Sequence, residues 1–153
     1  MLHTILSIFA LFTALAAIYC DYAGWRLGVY LAKPITLITL LLLAVQSGLY
    51  DVYATTIVIG LTLSLVGDVF LMLDRQRYYR AGLFSFLLAH IAYIVAFGYA
   101  QRYQVRLELG LPLLAFAVAY YRVLQRGLGR ERGPVIAYLL VISLMGMQAL
   151  EAA

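Results

Sequence analysis

Four side chains in this sequence are suited to moving protons or holding an anion from apolar surroundings: Asp68, His90, Lys33 and Tyr138. Asp68 lies in Gly67-Asp68-Val69-Phe70-Leu71-Met72-Leu73, and His90 in Leu88-Ala89-His90-Ile91-Ala92. A carboxyl out of contact with water is a candidate general acid, and an imidazole is a candidate proton acceptor near neutral pH. For His90 a purely structural hydrogen bond is an equally good reading. Lys33 precedes Pro34, and its ammonium either holds an anionic group or simply reaches for the headgroups. Tyr138 either donates a hydrogen bond into a cavity or packs. No HExxH and no paired-Cys spacing occurs, so neither metal nor cofactor is expected.

The surroundings of these groups are set by composition. The chain of 153 residues is 65% hydrophobic and only 12% charged, and its mean hydropathy is +0.96. A soluble domain carries roughly twice that share of charge. Disorder, a disulfide scaffold and a nucleic-acid module are excluded with it, since a single Cys makes no internal bridge. What remains is an all-α, polytopic membrane helix bundle, read as one domain over residues 1–153.

Six continuous apolar runs mark the expected spans: Leu2 to Cys20, Pro34 to Leu49, Val52 to Leu73, Ala81 to Ala100, Leu107 to Tyr121 and Pro134 to Leu150. The runs do not alternate, and a hydrocarbon core admits only helices or closed barrels, so each is read as a helix. The first lacks a leading Lys or Arg, which argues against a cleaved signal peptide. Cys20 follows a Tyr and reads as a plain residue at a helix end.

The connections after helices 1, 3 and 5 hold nine of the 11 basic residues: Arg26, Lys33, Arg75, Arg77, Arg80, Arg122, Arg126, Arg130 and Arg132. Positive charge is retained on the cytoplasmic side. These connections are therefore expected in the cytoplasm of a cell whose inner membrane holds the protein, with the N-terminus outside. Most tyrosines and Trp25 fall at the span ends, where amphipathic rings favour the headgroups; Tyr93 and Tyr138 lie inside helices 4 and 6.

Under this topology Asp68 lies roughly 7 Å and His90 roughly 13 Å inside the same half of the bilayer, on adjacent antiparallel helices. The two are expected to meet directly or through water. Thr56, Gly60, Ser64 and Asp68 follow at four-residue steps along one stripe of helix 3. Ser85, Ala89, Ala92 and Ala96 form a small-residue face of helix 4, with His90 and Tyr93 alongside. Small residues allow close helix approach, so Ser64 and Thr56 read first as packing groups. Asp74, beyond helix 3, reads as part of a solvated loop. Gln46 and Gln148 are placed toward the outer face, away from the site.

Five places carry a family likeness. They are Lys33-Pro34, the run Gly60-Leu61-Thr62-Leu63-Ser64-Leu65-Val66-Gly67-Asp68-Val69, the run from Gly82 to Tyr93, Pro112, and Pro134 with Tyr138 and Met145. In these the sequence resembles the YhhN-type lysoplasmalogenase family of multi-pass membrane proteins. The resemblance implies a membrane hydrolase that cleaves the vinyl-ether bond of lysoplasmalogens, giving a fatty aldehyde and a glycerophospho-headgroup. It implies Asp68 as a functional carboxylate with Lys33, His90 and Tyr138 near the site. Asp68 and His90 are accordingly expected as catalytic groups, and Lys33, Ser64, Tyr93 and Tyr138 as substrate-binding groups.

The resemblance also implies eight helices, the seventh bringing a Ser-Asp-Ser segment with a second acid. The present sequence reaches only the sixth, so the reading is either a truncated or split gene product or a chain whose remainder comes from a complementing fragment or oligomer partner. Two other functions fit the same residues. Asp68 and His90 would suit a proton relay in a small carrier subunit; alternatively the chain is a non-catalytic membrane protein whose polar groups are merely hydrogen-bonded.

Overall fold

A computed structural model describes residues 1–46, 48–73, 75–101, 107–125, 127 and 132–152. It consists of six helices: α1 Leu2–Tyr22, α2 Arg26–Gln46, α3 Val52–Leu71, α4 Gln76–Gln101, α5 Leu107–Leu124 and α6 Arg132–Ala152. The described residues contain no strand. α1 to α4 are long and apolar enough to cross a membrane, while the apolar parts of α5 and α6, Gly110–Leu124 and Val135–Glu151, are shorter.

Three helices begin earlier than their apolar runs, α6 by only two residues. α2 starts at Arg26, so Lys33 and Pro34 lie inside it; the expectation that Pro34 opens the helix is corrected. Proline costs an interior helix one backbone bond, but apolar helices accommodate that loss within a packed bundle. α4 starts at Gln76 and takes in the polar stretch before Ala81. Hydropathy marks what is oily, whereas the backbone stays helical past that limit.

Hydroxyl groups in the helices are satisfied locally. Thr13 donates to the Phe9 and Ala10 carbonyls, Thr36 to Ala32, Thr39 to Ile35 and Ser143 to Leu139, at 2.7–3.0 Å. This back-bonding lets Ser and Thr occupy oily helices without an exposed polar group.

Burial is inverted relative to a water-soluble protein. On α4, Ser85, Ala89, Ala92 and Ala96 are buried, while Phe84, Leu88, Ile91 and Val95 on the opposite face are exposed. On α1, Ala10, Thr13, Ala17 and Cys20 are buried, whereas Ile5, Ile8, Phe12 and Leu15 are exposed. Lipid removes the penalty for large outward side chains, and association then depends on close approach of small ones.

The chain forms two compact units, Met1–Ala89 and His90–Ala153, with the continuous helix α4 running through the boundary. In the first unit, α1 packs on α2 and α2 on α3. Thr36 Oγ1 donates to Thr13 Oγ1 at 2.9 Å across the α1–α2 seam. Ser85 Oγ donates to the Leu63 carbonyl at 2.6 Å, joining α4 to α3. A Cβ on Gly67 would stand 2.8 Å from the Phe86 ring, so the absent side chain is what permits this approach.

The turn between α1 and α2 is only three residues long. Trp25 N–H donates to the Cys20 carbonyl and Gly24 N–H to that of Asp21, with Gly24 at φ +71°. This is a Schellman termination, which needs a left-handed residue just past the helix end. In the second unit, α5 packs on α6, with Gly110 facing Met147 and Gly146 facing Leu113.

Candidate functional site

The first unit brings Asp68, Ser64 and Lys33 to one end. α2 and α3 are packed antiparallel neighbours, so the start of α2 and the end of α3 lie together. Asp68 is three residues from the last residue of α3, about 4.5 Å along the axis. Lys33 is seven residues into α2, about 10 Å along it. Gly60, Ser64 and Gly67 are buried in a row on α3, and the half-buried Asp68 flanks that row. Lys33 is exposed.

The second unit gathers His90, Tyr93 and Tyr138. His90 is buried on α4. Its ring meets Tyr138 of α6 edge to face, with centroids 5.3 Å apart and an interplanar angle of 72°. Tyr93, one turn along α4, approaches the same imidazole at 6.3 Å and 78°. Both distances fall within the range of favourable aromatic edge contacts. The imidazole is thus set between two phenol-bearing rings, and Tyr138 is tied to it across two helices.

Asp68 and His90 belong to different units, and each is placed here by its own surroundings. Asp74, with the loop residues Arg102, Arg106, Arg126 and Arg130, lies outside the described residues. Among the described residues no three of His, Cys, Asp and Glu come together as a metal-ligand group.

One polar residue was set aside by the sequence reading and is prominent here. Gln148 is buried on α6, and its Oε1 has no hydrogen-bond partner among the described residues. Its signal was available in the sequence: an amide inside an oily helix is costly unless paired.

Residues 28–153 match the model of the YhhN family. The chain belongs to the YhhN family. It is 31% identical over 130 residues to the membrane protein YhhN of Escherichia coli O157:H7, covering 83% of this chain and 61% of that one. It is 36% identical over 98 residues to human lysoplasmalogenase TMEM86A, covering 63% of this chain and 40% of that protein. The bovine lysoplasmalogenase TMEM86A is 31% identical over 130 residues, with 83% and 53% covered. The matched segment thus spans about 40–61% of the length of these curated relatives. No solved structure matches the chain. As a YhhN-family chain with four long apolar helices, it is a multi-pass membrane protein.

Proposed function

We propose that this YhhN-family protein is a lysoplasmalogenase, a membrane hydrolase of the vinyl-ether bond in lysoplasmalogen-type lysophospholipids. The observation that carries the reading is the half-buried Asp68 carboxyl in the apolar helix α3, beside the buried Ser64 and Gly67. Similarity to the TMEM86A lysoplasmalogenases supplies the substrate class.

A vinyl ether is hydrolysed by protonation of the alkene carbon farther from oxygen. The electron pair of the double bond takes the proton, and an oxocarbenium ion forms. Asp68 in its acid form donates that proton, and the resulting carboxylate stabilises the cation. Water adds to the carbon next to oxygen and gives its proton to the Asp68 carboxylate. The hemiacetal then collapses: Asp68 protonates the departing glycerol oxygen, and its carboxylate takes the hydroxyl proton. The products are a fatty aldehyde and a glycerophospho-headgroup, one water is consumed, and Asp68 returns to its acid form. A carboxyl that serves first as acid and then as base parallels glycoside hydrolysis through an oxocarbenium-like state.

Lys33 serves the phosphate as a point charge at the membrane edge. Ser64, one turn before Asp68 on α3, orients the lipid beside it. The basic connections face the cytoplasm, so the substrate is drawn from the inner leaflet of the inner membrane.

The decisive experiment supplies purified protein with a lysoplasmalogen and, separately, an ester-linked lysolipid. Aldehyde is expected from the first substrate alone, and Asp68→Asn is expected to abolish it while leaving the helical content unchanged. Aldehyde from neither substrate, or full turnover by Asp68→Asn, defeats the reading.

A further inference from the structure

The α1–α2 turn encloses a cleft of about 360 Å³ lined by Cys20, Asp21, Gly24, Arg26, Val29 and Tyr30. That size lies at the lower end of small-molecule sites, about 300–1,000 Å³. The Schellman termination fixes its floor. Its wall is close-packed, because a Cβ on Gly28 would stand 2.5 Å from Cys20 Sγ and 2.9 Å from the Trp25 ring.

Two opposite charges border this one cleft, Asp21 from the end of α1 and Arg26 from the start of α2. Among the described residues, neither side chain has an ion pair or hydrogen bond with the other or with any third group. Both side chains are exposed at the mouth of the cleft, where a ligand carrying both signs complements them. Tyr22, Trp25 and Tyr30 are exposed around the turn, and such rings mark the headgroup level of a bilayer. Arg26, Tyr30 and Lys33 follow at steps of four and three along α2. They form one stripe that leads about 10 Å inward along α2.

We propose that this cleft binds the phosphate–ammonium headgroup of a zwitterionic lysophospholipid, Arg26 taking the phosphate and Asp21 the ammonium. The guanidinium fork matches phosphate oxygens, and the carboxylate accepts hydrogen bonds from a primary ammonium. With the headgroup held there, the glycerol lies along the Tyr30–Lys33 stripe and the alkyl chain enters the membrane. The role of the cleft as the headgroup end of the substrate site rests on the hydrolase reading; the binding itself does not.

The sole tryptophan, Trp25, stands in the turn between the lining residues Gly24 and Arg26 and serves as the reporter. Protein in maltoside micelles is titrated with ester-linked lysophosphatidylethanolamine, its N-acetyl derivative and water-soluble glycerophosphoethanolamine, following Trp25 emission. None contains a vinyl ether, so failure of hydrolysis and failure of binding are read separately. N-acetylation removes the ammonium charge and is expected to raise half-saturation about fivefold, the scale of one exposed charge pair.

Asp21→Asn is expected to weaken the unmodified lysolipid by a similar factor and to leave the N-acetyl form unchanged, while Arg26→Gln weakens both. A response to the soluble headgroup assigns recognition to the headgroup alone; a response confined to the lysolipid assigns it to the membrane-borne form. Equal half-saturation for the native and N-acetyl lysolipids overturns the proposal, as does silence with every probe. The ligand comparison uses unaltered protein and stands whether or not the variants fold.

Discussion

His90 on α4 meets Tyr138 on α6 edge to face, with ring centroids 5.3 Å apart. The contact joins two helices through the only histidine outside the first turn of α1. An edge contact of this kind contributes about 0.5–1.5 kcal/mol beyond area burial. Tyr138→Phe keeps the ring and is expected to leave stability nearly unchanged, while Tyr138→Leu loses the edge contact. A double-mutant cycle of Tyr138→Leu with His90→Leu, followed by detergent-induced unfolding, is expected to give a coupling of about 1 kcal/mol. Additive single effects would mean the rings are neighbours without being partners.

Gly67 lies beside Asp68 and faces Phe86, and the fit leaves no room for a methyl group. Gly67→Ala places a Cβ 2.8 Å from ring carbons of Phe86. Overpacking of this sort costs about 1–3 kcal/mol. The cost is expected to fall in the double variant Gly67→Ala with Phe86→Leu, because the shorter side chain makes way. Unfolding midpoints of the four proteins in one detergent system test this. Equal losses from Gly67→Ala in both backgrounds would place the strain elsewhere.

The small-residue faces were legible because their cause is local: Gly60 and Ser64 of the α3 stripe, and Ser85, Ala89, Ala92 and Ala96 on α4, repeat at helical spacing and are buried, while Thr56 and Asp68 at the ends of the α3 stripe are half-buried. The start of α2 was not legible, because Arg26, Lys33 and Pro34 all read as features of a boundary. They are held in a helix by packing against α1 and α3, which no local pattern displays. The candidate site divides in the same way. Asp68 and His90 stand out as polar groups in oily runs. The pairing of His90 with Tyr138 joins positions 48 residues apart, and the cleft of Asp21 and Arg26 exists only because Gly24 turns the chain back.

The orientation read from the loops has a direct check. Tyr50, between α2 and α3, is exposed, and so is Arg77 at the start of α4. With the native Cys20 replaced by Ser, Tyr50→Cys is expected to react with a membrane-impermeant maleimide in intact cells. Arg77→Cys is expected to react only after the membrane is opened. The reverse pattern would invert the topology and with it the leaflet from which substrate enters.

Gln148 supplies a prediction whose sign separates two physical situations. Its Oε1 is buried on α6 without a partner among the described residues, and an unpaired buried acceptor costs about 1–3 kcal/mol. Methionine has nearly the same length and carries no strong polar group, and flexible thioethers fill irregular gaps well. Gln148→Met is therefore expected to stabilise the purified protein by about 1 kcal/mol, the low end of that cost, because the side chain of Met147 already packs the adjoining face against Gly110. The unfolding midpoint of the variant measures this. A midpoint that falls instead would show that Oε1 accepts a hydrogen bond in the membrane, so that replacing the amide removes an interaction rather than a penalty.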